Sequence, residues 1–157
     1  MAETYPDPVL SGVRQLRHRH ILDRLDYLRG LRRLADGMTQ TDLARALGLT
    51  QPSISSALKS AAKVADLRPG FSGAGPYEIA QRYVAGELDR DQLIDELARW
   101  VPDPTVRAVD NPADPNSEMR KAVRDGLLDE DAYRMVLARQ LELSSGSTSE
   151  RAGPASA

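Results

Sequence analysis

Between Thr50 and Lys63 the string TQPSISSALKSAAK holds an amide, short hydroxyls and two ammonium groups at spacings that a helix gathers on one side: Gln51, Ser53, Ser55, Ser56, Lys59 and Lys63. Side chains of these types suit one chemistry. Amides and hydroxyls exchange hydrogen bonds with flat polar edges, and ammonium groups neutralise phosphates. No acidic residue interrupts the stretch. The alternate positions Ile54, Ala57, Leu58 and Ala61 are apolar, so one face of the helix is for burial and the other is short, polar and cationic. A helix with such a face can enter a major groove without clashing.

Other chemistries lack their parts. With no Cys there is no disulfide, thiolate metal site or cysteine nucleophile, and His18 and His20, two residues apart, do not share a helical face. No metal site and no cofactor are therefore expected. Ser72 in FSGAG does not sit in a Gly-x-Ser-x-Gly elbow, no Gly-x-x-x-x-Gly-Lys loop occurs, and Asp89 with Asp91 falls where a helix cap is due. The chain is not read as an enzyme. No run of about 18 apolar residues exists, and MAETYPDPVLSG has no basic stretch followed by an apolar one, so no membrane span or signal peptide is expected and the location is read as cytoplasmic.

The elements that must hold the polar face are equally readable. Thr39, with Asp42 three residues on, starts a helix near Gln40; Leu43, Ala44 and Leu47 form its apolar stripe. Gly48 supplies the positive φ of a sharp turn, Leu49 is expected to point inward, and Thr50 caps the next helix with Pro52 tolerated in its first turn. Before them, VLSGVRQLRHRHILDRLDYLRGLRRLA spaces Leu16, Ile21, Leu25, Leu28, Leu31 and Leu34 as a long amphipathic helix, or two short ones broken near Gly30. Its basic stretch, Arg14, Arg17, Arg19, Arg29, Arg32 and Arg33, is either a solvated face paired with Asp23 and Asp26 or a set of phosphate contacts.

Composition agrees with helices. Of 157 residues 20 are Leu and 20 Ala while only 4% are aromatic, which favours helix over sheet. The net charge of −2 hides an asymmetry: residues 1–68 carry 11 Lys/Arg against 7 Asp/Glu, residues 69–157 carry 10 against 16. A basic working half and an acidic second half follow. The chain is expected to fold as all-α: an extended arm over 1–8, a basic helix and head over 9–68, a Gly/Pro linker over 69–77, an αα-hairpin over 78–100, a Pro-rich linker over 101–117, a second αα-hairpin over 118–143, and a disordered tail over 144–157. The two hairpins form a repeat at a spacing of 40: Gly86 matches Gly126, Leu88 matches Leu128, and Asp89 matches Asp129. In each copy a helix ends at Gly, a Leu anchors the turn, and an Asp caps the next helix.

The string Gln40-x-x-Leu43-Ala44-x-x-x-Gly48-Leu49-Thr50-Gln51-Pro52-Ser53-Ile54-Ser55-x-x-Leu58 resembles the helix-turn-helix of bacterial transcription regulators. Its Thr-Gln-Pro-Ser-Ile-Ser segment is similar to the start of the recognition helix in the MarR and LysR families. The residues after Val64 show no alternating pattern for a winged hairpin, which points to a plain tri-helical head. The whole layout resembles small helix-turn-helix proteins of actinobacteria and their phages. The resemblance implies binding to double-stranded DNA, with the helix from Thr50 as the reader. On that reading Gln51 and Ser55 or Ser56 reach base edges, Pro52 and Ser53 lie in the interface, Gln40, Thr50, Lys59 and Lys63 meet phosphates, and Arg32, Arg33 and Arg68 are accessory contacts. The expected function is a sequence-specific regulator, a repressor acting as a homodimer through the long helix or the repeats, with Tyr77, Tyr83 and Trp100 as candidate anchors. The alternative is an antitoxin-like autorepressor whose acidic residues 78–143 bind and neutralise a protein partner.

Overall fold

The computed structural model describes residues 7–101 and 117–149. Among them the chain is all-α: seven helices and no strand. It divides into two compact units, Met1–Asp66 and Leu67–Ala157. No helix among the described residues is long and apolar enough to cross a membrane.

The first unit is built on α1 (Pro8–Ala35), one unbroken helix of 28 residues that runs through Gly30. Asp7 starts it by accepting from the Val9 amide at 2.8 Å, and Pro8 sits where no helical N–H is lost. Of the expected extended arm only residues 7 and 8 are described, and Pro8 is already helical. Next come α2 (Gln40–Leu47) and α3 (Gln51–Ala61), which pack on each other and on α1. Their core is Leu31, Leu43, Ala44 and Ile54, with Ala35, Ala57 and Leu58 against it. Past α3 the chain is tied back to α1: Arg29 Nε donates to the Ala65 carbonyl at 2.9 Å, and Arg32 Nη1 donates to the carbonyls of Ala61 and Val64 at 2.5 and 2.7 Å. Arg32 also pairs with Asp66. A guanidinium placed on carbonyls at and just past a helix C-terminus is favoured by the negative end of the helix dipole.

His18 is 4% exposed and its Nδ1 has no hydrogen-bond partner among the described residues. Burial, reinforced by Arg17 and Arg14, pushes the imidazole below its ordinary value of 6.5. The unfolded chain therefore takes up a proton near pH 6.5 while the folded chain resists it. The stability this group contributes is full above about 6.5 and is lost as pH falls toward the folded value, with a slope of at most about 1.4 kcal/mol per pH unit. Urea midpoints at pH 7.5 and 5.5 should differ in the parent chain and differ less in His18→Gln; an unchanged difference would contradict this.

The second unit contains α4 (Pro76–Val84), α5 (Arg90–Arg99), α6 (Glu118–Arg124) and α7 (Glu130–Ser149). α4 packs on α5 and α6, and α7 on α5 and α6. Ile79, Leu93, Leu97, Leu128 and Val136 are buried at its centre. The two interhelical turns carry the same bonds 40 residues apart. Ala85 N donates to Gln81 O and Gly86 N to Tyr83 O; Asp125 N donates to Lys121 O and Gly126 N to Val123 O. Both glycines take positive φ, 85° and 71°. Asp89 and Asp129 then cap α5 and α7 by accepting from Gln92 N and Ala132 N.

Residues 69–77, read from sequence as a linker, are packed into the second unit. Ser72 donates to Glu96 through its amide and hydroxyl at 2.8 and 2.6 Å, Phe71 meets Trp100 edge to face, and Gly73 is buried so tightly that a Cβ would lie 3.0 Å from the Ile79 nitrogen. Arg68 lies over the Trp100 ring at 4.5 Å and donates to the Val101 carbonyl at 2.6 Å. Residues 144–149, expected in the disordered tail, continue α7. The Ser144 and Ser145 hydroxyls donate to the carbonyls of Gln140 and Leu141, four residues back. The rest of that tail and the interior of the Pro-rich stretch lie outside the described residues.

Candidate nucleic-acid interface

Thr39 Oγ1 accepts from the Asp42 amide at 3.1 Å and so fixes the start of α2. At its end Gly48 adopts φ 66°, and the Leu49 amide reaches back to the Ala44 carbonyl at 2.8 Å. A left-handed residue here costs an L side chain about 1–2 kcal/mol, which glycine escapes. Thr50 Oγ1 then accepts from the Ser53 amide at 3.3 Å and meets Ser53 Oγ at 2.8 Å, launching α3 in a new direction. The threonine hydroxyl is thus engaged in the cap.

Along α3, Ile54 and Ala61 are buried and Ala57 and Leu58 half-buried. Gln51, Pro52, Ser53, Ser56 and Lys59 are exposed, Ser55 is half-buried, and Lys63 is exposed just past the helix end. The polar residues expected at the interface therefore share the solvent side of one helix. Lys59 and Lys63 make no ion pair among the described residues.

The Gln51 side chain has a partner on the neighbouring helix. Its Nε2 donates to Gln40 Oε1 at 2.8 Å, joining the first residue of α3 to the first residue of α2. An amide has two N–H donors and one carbonyl oxygen. Gln40 takes one N–H, which leaves one N–H and the Oε1 of Gln51 to serve as a further donor and acceptor.

Beside the first turn of α3 an open cleft of about 500 Å³ is lined by Arg24, Tyr27, Leu49, Pro52, Ser53 and Ser56. The Arg24 guanidinium stands 5.7 Å from the centre of the Tyr27 ring. Arg24 was not singled out by the sequence reading. The signal was available, because Arg24 precedes the buried Leu28 and Leu31 by one and two turns and so follows the same side of α1. Leu49 is a correction: it is 45% exposed in the cleft rather than inward, since the backbone bond to Ala44 already pins the turn. Leu47, placed in the apolar stripe of α2, is 44% exposed.

The accessory cations separate. Arg33 is exposed on the last turn of α1. Arg32 spends its donors on the end of α3, and Arg68 belongs to the second unit, where it is stacked on Trp100. In that unit several exposed charges are locally paired. Arg90 grips Asp129 at 2.9 and 3.2 Å and, with the Ala132 amide, holds its carboxyl below the usual range. Tyr77 and Lys121 do the same for Asp125. No group of His, Cys, Asp or Glu suited to a metal ion occurs among the described residues. No family model matches the chain, and neither a curated protein nor a solved structure resembles it closely enough to count as a relative.

Proposed function

We propose that this protein is a sequence-specific DNA-binding regulator, a dimeric repressor whose α1–α3 form a helix-turn-helix head and whose α3 reads the major groove. The two helical pairs α4/α5 and α6/α7 are read as αα-hairpin repeats that complete the chain. The observation that carries the reading is the Gln51 amide, held by Gln40 at the exposed end of a helix whose solvent face has no carboxylate. A reader needs a side chain fixed in orientation before it meets a base, since ordering it on binding costs affinity. Lys59 on the same helix, Lys63 just past its end and Arg24 across the cleft are the groups proposed to meet phosphates, which position the reader without specifying sequence.

The roles separate by titration against a selected site. Gln51→Ala should lose about 1–3 kcal/mol at one base position and little on sequences already changed there. Gln40→Ala should cost part of the same discrimination, because it frees the Gln51 amide. Lys59→Ala and Arg24→Ala should weaken binding to every sequence and each shallow the salt slope by about 0.9. Equal loss on all sequences in Gln51→Ala would overturn its assignment, and an unchanged slope in Arg24→Ala would remove Arg24 from the interface.

A further inference from the structure

The first half of α1 presents a row of apolar side chains that no other described residue buries. Val9, Val13 and Leu16 are 72%, 56% and 62% exposed, and His20 follows them on the same line. The steps between them are four, three and four residues, the spacing that lines side chains up on one helical stripe and that a two-helix seam uses. Leu10, 66% exposed, flanks the row.

We infer that this seam binds a second copy of itself, with the two α1 helices antiparallel and crossing a two-fold axis between residues 14 and 15. This rests on the DNA-reading proposal for its geometry and deepens it by naming the dimer surface. In that register Val13 faces the partner's Leu16, and Val9 faces the partner's His20. Every apolar member of the row then meets a counterpart, as an isologous contact requires.

Two further observations select this occupant. The helix begins at Pro8, which lies opposite residue 21 of the other copy, so the partner helix ends before it reaches Arg24, Tyr27 and the cleft beside α3. With a rise of 1.5 Å per residue, the two Arg24 residues stand roughly 29 Å apart along the pair and the two Tyr27 residues roughly 38 Å. The first turns of the two α3 helices border these residues, and the interval brackets the 34–36 Å between successive major grooves on one side of DNA. The charges work against pairing: Arg17 and Arg19 border the seam in both copies. The dimer is therefore weak, and salt strengthens it while weakening DNA binding.

The full chain has no cysteine, so single cysteines report the register directly. Val13→Cys and Leu16→Cys chains, mixed and oxidised without DNA, should give the mixed 13–16 disulfide in several-fold excess over either homodisulfide. Leu16→Glu, at an exposed position, should keep the helical circular dichroism of the parent and sediment as a monomer where the parent is partly dimeric. Predominant homodisulfides, the sign of a parallel pair, or a parent that stays monomeric at 100 μM in 0.5 M salt, would overturn the inference. Because these readouts need no DNA, a cross-link with no DNA selectivity would sink the regulator reading alone, and single half-site selection without a cross-link would sink the seam alone.

Discussion

Arg82→Met should lower the unfolding free energy of the second unit by about 3–5 kcal/mol. The guanidinium is 5% exposed and bridges two carboxylates, Glu78 at 2.9 Å and Glu87 at 2.7 Å. Glu78 is itself 8% exposed, and its other oxygen accepts from the Ala74 amide at 3.0 Å. Taking the cation away leaves a desolvated carboxylate with a backbone N–H in place of a charge. The single Trp, Trp100, packs against Phe71 within the same unit, so its fluorescence in a urea titration follows this unit. The double change Glu78→Gln with Arg82→Met should recover much of the loss, because the neutral amide no longer needs a counter-ion. A double variant as unstable as the single would mean that packing around Arg82, and not charge, carries the effect.

Ile54→Ala should cost the first unit about 2–5 kcal/mol, the range for truncating a fully buried aliphatic side chain. Ile54 is 0% exposed and is the residue of α3 that meets Leu31, Leu43 and Ala44 together. That core has only four fully buried members, so a cavity at its centre has few neighbours to close it. The expected readout is a fall in helical signal at low urea together with loss of DNA binding. Ser56→Ala, on the exposed side of the same helix, should stay within about 0.5 kcal/mol of the parent. An Ile54→Ala chain as stable as Ser56→Ala would show that α3 is not held through this contact.

Much of this was legible because it is written in local chemistry. Thr39, Thr50, Asp89 and Asp129 are caps whose side chains bond an amide three residues on, and Gly48, Gly86 and Gly126 take the left-handed turn that glycine tolerates. Such features depend on a few adjacent residues. The misreadings arose where distant partners decide. Gly and Pro in residues 69–77 suggested a linker, yet those small residues let the chain lie against Ile79 and Glu96. Arg32 has the look of a phosphate contact until the end of α3 folds onto it. Leu49 is apolar in a turn, but the backbone closes the turn without its side chain. The Gln40–Gln51 bond spans eleven residues and needs the turn geometry before it can be seen. Ser144 and Ser145 suit a tail by composition, yet they continue α7, their hydroxyls bonded to carbonyls four residues back.

The claim that α3 reads DNA sequence is tested most directly by selecting bound fragments from a random duplex pool with the full chain at about 150 mM salt, where phosphate contacts alone hold DNA weakly. The account predicts enrichment of a two-fold site whose half-sites are centred about 10 base pairs apart and contain an adenine that Gln51→Ala ceases to prefer. A pool that emerges as random as it entered would contradict it.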